Sequence, residues 1–257
     1  MNQRSSRGGR LGYPSRKAAE SAAASLASQT VTFRGDRQPN IFANLSENQR
    51  NRVIKVGIRQ RLRDAETLFA QGESHRGVYL IESGLIRTFY TSPTGREITL
   101  AFWQPGNIVG TPQIFGRGVH MWSGRSVKNS EVIAFRGDEL RKLMNRIPQL
   151  ATGLVEALEF KGKCLSELVQ MLGTRSVSER LAMLLSNLAE LHGVREKDGV
   201  AIGAPFTHEA YAQMVGASRQ WVTITLDRFQ REGKIRIGKR KTVILRPNRL
   251  IGRSVRI

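Results

Sequence analysis

Residues 207–228, THEAYAQMVGASRQWVTITLDR, read as two short helices joined by a tight turn. Thr207 caps the first helix. Tyr211 and Val215 lie four apart on its inner face, and Ala212 is small enough for a second helix to cross there. Gly216 suits the left-handed turn position, where a Cβ costs about 1–2 kcal/mol. Ser218 caps the second helix, which buries Val222, Leu226 and Phe229 at steps of four and three. Its opposite face offers Arg219, Gln220, Thr223 and Ile224 as the base-reading side chains. This pattern is a helix-turn-helix whose second helix enters the major groove of DNA. An ordinary αα-corner is the bland alternative; cap, glycine, spacing and flanks together weigh against it.

Downstream, two alternating apolar runs, KIRI at 234–237 and TVIL at 242–245, surround the basic turn GKRK at 238–241. That is a β-hairpin, and just after a recognition helix a hairpin is a wing. Lys239, Arg240 and Lys241 then sit near phosphates, together with Thr207, His208, Ser218 and Trp221. Upstream, Ser176 and Glu179 form a capping box. It opens a helix carrying Leu181, Leu184, Leu185, Leu188 and Leu191, which Gly193 ends, and a short strand at 200–202 follows.

Charge agrees with this placement. The 257-residue chain has a formal net charge of +20. Residues 207–257 carry 12 Lys and Arg against 3 Asp and Glu, whereas residues 151–206 carry 6 against 7. The basic block therefore coincides with the segment that needs phosphate contacts. Basicity alone also suits RNA or an anionic membrane, so it adds weight only beside the motif. Cys164 is the single cysteine, which excludes an intrachain disulfide and a four-Cys cluster. No apolar run approaches the roughly 20 residues of a membrane span. A cytoplasmic protein is expected. Residues 1–40 lack the apolar core of a secretory signal and read as a disordered basic arm.

Residues 41–147 form a first domain of short strands at 67–70, 78–81, 85–90, 98–103 and 132–135, punctuated by glycines. Such spacing predicts an antiparallel roll or barrel. Residues 148–173 form one long helix and a hinge, with Pro148 at the first helical position. Leu154, Leu158, Lys161, Leu165, Leu168 and Leu172 fall on a heptad seam, read here as a dimer interface. Packing on its own domain is the alternative. A two-fold dimer would hold two recognition helices about 34–36 Å apart, matching successive major grooves. Residues 174–257 complete a winged helix-turn-helix domain. The fold class is thus α+β.

This order of parts resembles the CRP/FNR family of bacterial transcription regulators over residues 41–250. The resemblance rests on Gly72-Glu73 with VYLIESG at 78–84, on SERLA at 178–182 and on VGASR at 215–219. It implies a cyclic-nucleotide-binding-like jelly roll that senses an effector, a dimerising helix and a near-palindromic operator, with RNA polymerase as a further partner. The family's nucleotide signature is a Gly-Glu pair and, about ten residues on, an Arg-Ser pair. Here Gly110 is followed by Thr111 and Pro112, and Met121-Trp122 stands in place of Arg-Ser. Without a guanidinium a buried phosphate is poorly compensated. Arg125-Ser126 lies four residues later and leaves an altered nucleotide pocket as an alternative. The effector is otherwise unknown or absent, and no cofactor, metal site or catalytic residue is expected. A cupin-like metalloenzyme would need clustered His and carboxylate ligands. His75 and His120 read as isolated, solvated loop residues, and His192 as a helix cap. In the recognition helix Arg219 matches the usual arginine and reads guanine. Gln220 replaces the common Glu and suits adenine. Ile224 replaces a second Arg and can meet a thymine methyl. Low-specificity architectural binding is the other alternative for the whole chain.

Overall fold

Two long strands, each with buried residues on both of its faces, form the spine of the first domain. The computed structural model describes residues 39–110, 112–202, 206–238, 241–246 and 250. The roll comprises α1 (Glu47–Val56), β1 (Ile58–Leu62), β2 (Thr67–Phe69), β3 (Gly77–Thr91), β4 (Glu97–Trp103), β5 (Ile108–Val109), β6 (Ser123–Arg136) and α2 (Gly137–Arg146). The sheet order is β1-β6-β3-β4, with β2 added to β6 and β5 to β3, and all pairings are antiparallel.

Runs 78–81 and 85–90, expected as two strands, are one strand passing through Gly84. That glycine has φ +95, and Ser130 fills the space its Cβ would need. The register between β3 and β6 shifts around it. A glycine here makes a bulge in a continuing strand instead of a turn that ends one. Strand β1 was not anticipated because its sequence, IRQRL, is mostly exposed and lacks an apolar alternation.

Next come α3 (Pro148–Thr174) and α4 (Val177–His192), the latter opened by the Ser176–Glu179 capping box. Strands β7 (Gly193–Glu196) and β8 (Gly199–Ile202), helices α5 (His208–Val215) and α6 (Arg219–Arg231), and strands β9 (Ile235–Ile237) and β10 (Thr242–Ile244) complete the second domain. Its sheet runs β7-β8-β10-β9, so the wing hairpin is backed by two further strands. The expected arm lies almost wholly outside the described residues, as do Thr111, Lys239, Arg240 and the side chains of Leu191 and His192.

One sequence expectation is corrected in full and another for part of its residues. Leu154, Leu158, Lys161 and Leu165 of the α3 seam face the protein's own roll. Leu154 is buried in a core with Ile41, Val78, Ile133 and Leu150, and Leu158 packs beside it. Gly153 lets the helix come so close that a Cβ would lie 2.8 Å from the Ile41 carbonyl oxygen. Lys161 lies against Trp103 of β4, and Leu165 helps line a cavity there. Leu168 and Leu172 are half-buried. The flank of α3 beside this seam carries Thr152, Val155, Glu159, Gly162, Ser166 and Val169, with Val155 63% and Val169 69% exposed and Gly162 at the edge of that cavity. An apolar seam is attracted equally by a partner helix or by its own sheet, and periodicity does not choose between them.

His75 and His120 are not solvated. Both are buried, their rings meet edge to face, and His120 stacks on Phe69. His75 Nε2 lies 2.7 Å from the Gln113 carbonyl oxygen. No cluster of three or more metal-ligating His, Cys, Asp or Glu occurs among the described residues. Among them, too, no helix is long and apolar enough to cross a membrane.

Candidate DNA-reading face and sensor cavity

The turn between α5 and α6 is built by three small residues. Thr207 accepts a hydrogen bond from the Ala210 amide at 3.0 Å and fixes the start of α5. Gly216 ends it with φ +61 and ψ 43. Ser218 accepts from the Trp221 amide at 3.3 Å and starts α6. With Val222, Thr225, Leu226 and Phe229 buried, α6 turns the opposite face outward. Arg219 and Gln220 are exposed on its first turn, and Trp221 and Ile224 are 60% and 48% exposed.

Thr223 is placed differently from these. Its hydroxyl donates to the Arg219 carbonyl at 3.0 Å and lies 2.8 Å from His208 Nδ1. A hydroxyl has one proton. With that proton on the Arg219 carbonyl, the oxygen accepts from His208, which therefore carries hydrogen on Nδ1. The two residues brace α5 against α6, and the Thr223 hydroxyl is committed inside the protein.

Charges around the wing are partly paired. Lys241 Nζ meets Glu196 at 2.5 Å, Lys234 meets Glu232 at 2.7 Å, and Arg236 lies 3.7 Å from Asp198. The Lys234 ammonium holds the Glu232 carboxyl below its ordinary value.

Arg180 was not singled out from the sequence. It is 8% exposed, and its guanidinium reaches the carbonyls of Leu172 at 3.2 Å and Gly216 at 3.5 Å. It thereby ties the end of α3 to the turn that aims α6. Its burial lowers its pKa. The signal was available: Arg180 stands four residues before Leu184, on the buried stripe of α4, where a charge needs a reason.

A second feature lies between roll and α3. A cavity of about 280 Å³ is lined by Trp103, Trp122, Leu158, Lys161, Cys164 and Leu165, with apolar strand residues behind them. The Thr88 hydroxyl on its wall accepts from the Trp103 indole at 2.9 Å. Lys161 Nζ sits 3.2 Å from the Trp103 ring centroid. Burial pulls the Lys161 ammonium down to about 7 and pushes the Cys164 thiol up to about 11. Of the pair standing where the family signature has Arg-Ser, Met121 is exposed and Trp122 lines the cavity. Arg125 and Ser126 do not line it. Arg125 lies over the Phe89 ring at 5.0 Å and 3.9 Å from Glu97. Ser126 accepts from the Glu66 amide at 2.9 Å.

These two features agree with what is known of other proteins. Residues 59–147 match the family described as the cyclic nucleotide-binding domain, and residues 179–253 match the Crp-like helix-turn-helix domain. Together the matches span well over half of the chain. The CRP-like cAMP-activated global transcriptional regulator of Mycobacterium tuberculosis is 29% identical over 188 residues, covering 73% of this chain and 84% of that protein. The cyclic AMP receptor protein of Thermus thermophilus is 25% identical, covering 77% and 88%. In fold, the chain is similar to the c-di-GMP responsive regulator CLP of Xanthomonas campestris. That match has a TM-score of 0.68 at 17% identity and covers 77% of this chain and 99% of that one.

Proposed function

The chain belongs to the CRP/FNR family of DNA-binding transcription regulators, and from that premise we propose that it works as a homodimer reading a near-palindromic operator. Arg219, Gln220 and Ile224 are the base readers, with Thr223 held by His208 as the spacer between them. Thr207, His208, Ser218, Trp221 and the wing residues Lys239, Arg240 and Lys241 contact the phosphate backbone. The observation that carries this reading is the face of α6. Its first turn exposes Arg219 and Gln220 beside a cap that leaves the helix start open to an approaching phosphate.

The dimer contact belongs to the exposed flank of α3, from Thr152 through Val155, Glu159, Gly162 and Ser166 to Val169. Its steps of three and four keep it on one side of the helix. Gly162, with no atom near its Cβ position, leaves room for a close partner. The protein acts in the cytoplasm on promoters served by RNA polymerase and has no catalytic role.

Selection of binding sites from random duplexes tests this. A two-fold-related pair of half-sites about one duplex turn apart is the expected product. Low-specificity coating of DNA, which the net charge of +20 favours, would return no consensus. Specific binding should exceed binding to random duplex by roughly 10³-fold or more.

A further inference from the structure

We propose that the cavity between roll and α3 binds a small apolar carboxylate, about two fused rings in bulk, with Lys161 as its counter-ion. The lining gives the body of the ligand. Two tryptophans and aliphatic side chains dominate, so polar partners are few: among the described lining residues the one side-chain hydroxyl, on Thr88, and the Trp103 indole N–H are already paired with each other, which leaves the Trp122 N–H and Lys161. The volume, about 280 Å³, is nearly twice the roughly 150 Å³ cavity that holds one benzene. A sugar in this box would leave its hydroxyls unpaired, which is costly. That argues against a cyclic nucleotide even though Lys161 could face a phosphate.

Lys161 gives the charge. Its ammonium rests on the Trp103 ring, and no carboxylate among the described residues pairs with it. Among the described lining residues only Cys164 is also titratable, and its thiol is raised, so it supplies neither a counter-charge nor a ready nucleophile. An apolar pocket with one uncompensated cation is completed by one anion. Because burial holds Lys161 near 7, an entering carboxylate should draw a proton onto it above that pH.

Binding is independent of operator reading. Only its consequence, a change in DNA affinity through α3 and Arg180, rests on the function proposed above.

Isothermal titration calorimetry of the full chain tests the site, using 2-naphthylacetate and octanoate, the neutral 2-naphthylacetamide and cyclic AMP. An acid should bind at least tenfold more tightly than the amide and than cyclic AMP. At pH 8 its binding heat should vary with buffer ionisation enthalpy, the sign of proton uptake. Lys161→Met should lose the acid by tenfold or more while retaining the amide. If that variant does not fold, the buffer dependence of the native protein decides. Neither acid binding at millimolar concentration, equal acid binding by Lys161→Met, absent proton uptake, or stronger binding of cyclic AMP would each overturn the proposal. Acid binding alongside failed operator selection would leave this site standing and remove the DNA reading instead.

Discussion

Arg219 is exposed one residue after the cap of α6, so its guanidinium is free to span the O6 and N7 of a guanine. Replacing it with Ala should cost about 1–3 kcal/mol and relax preference at one base pair. Competition assays on single-base operator variants would reveal this; a uniform loss on all sequences would make Arg219 a phosphate contact only. At the same scale, His120 carries a pH signature. Burial and the neighbouring His75 lower it from 6.5 to about 4, against a smaller opposing pull from Glu73. The unfolded imidazole takes a proton more readily than the folded one. Its contribution to stability is therefore complete above pH 6.5 and drains away as pH falls toward 4. Urea midpoints measured across that window should fall less steeply for His120→Phe than for the native chain. Parallel slopes would rule out His120 as a source of acid lability.

At the scale of elements, the turn of the helix-turn-helix is held by backbone geometry and by its neighbours. Gly216→Ala would force a Cβ into the left-handed region, costing about 1–2 kcal/mol. That Cβ would also lie 2.8 Å from Leu172 Cδ2 of α3. Chemical denaturation should register the loss, and DNA affinity should fall with it because Leu172 and the turn move together. Ser218→Ala removes the cap of α6, for which about 1 kcal/mol is expected. The stripe of α3 that carries Val155 and Val169 is the element left without cover. Val155→Arg with Val169→Arg should shift sedimentation to the monomer without lowering the melting temperature by more than a few degrees. Leu154→Ala should do the reverse, unfolding the roll at a cost of about 2–5 kcal/mol because it opens a cavity in a closed core. A native chain that sediments as a monomer at micromolar concentration would refute the stripe assignment.

In the whole molecule, the two domains meet through more than the helix that links them. Leu85 and Phe102 of the roll join the core of the DNA-binding domain, and Arg180 spans α3, α4 and the Gly216 turn. A change in the cavity beside Lys161 therefore has a packed route to α6. The dimer expected here carries at least the basic surface of two C-terminal blocks. Its affinity should fall steeply with salt, with a slope set by the phosphates it neutralises. The monomeric arginine variant should grip a half-operator and the full palindrome equally, each far more weakly than the native dimer grips the palindrome. Gel-shift titrations at two salt concentrations would separate these cases.

Local features were legible in the residues themselves. The caps Thr207, Ser176 and Ser218, the left-handed Gly216 and the β9–β10 hairpin each depend on interactions within a few positions, so spacing alone reveals them. The exposed face of α6 followed by subtraction, since its buried partners were apolar at helical steps. What required tertiary structure was the choice of neighbour. Leu154 and Lys161 turn inward to the roll, His75 and His120 stack in its interior, and β3 runs on through Gly84. An apolar or aromatic side chain seeks any dry surface, and only the folded chain decides which one reaches it first. Periodicity records that a side is buried; it carries no record of what does the burying.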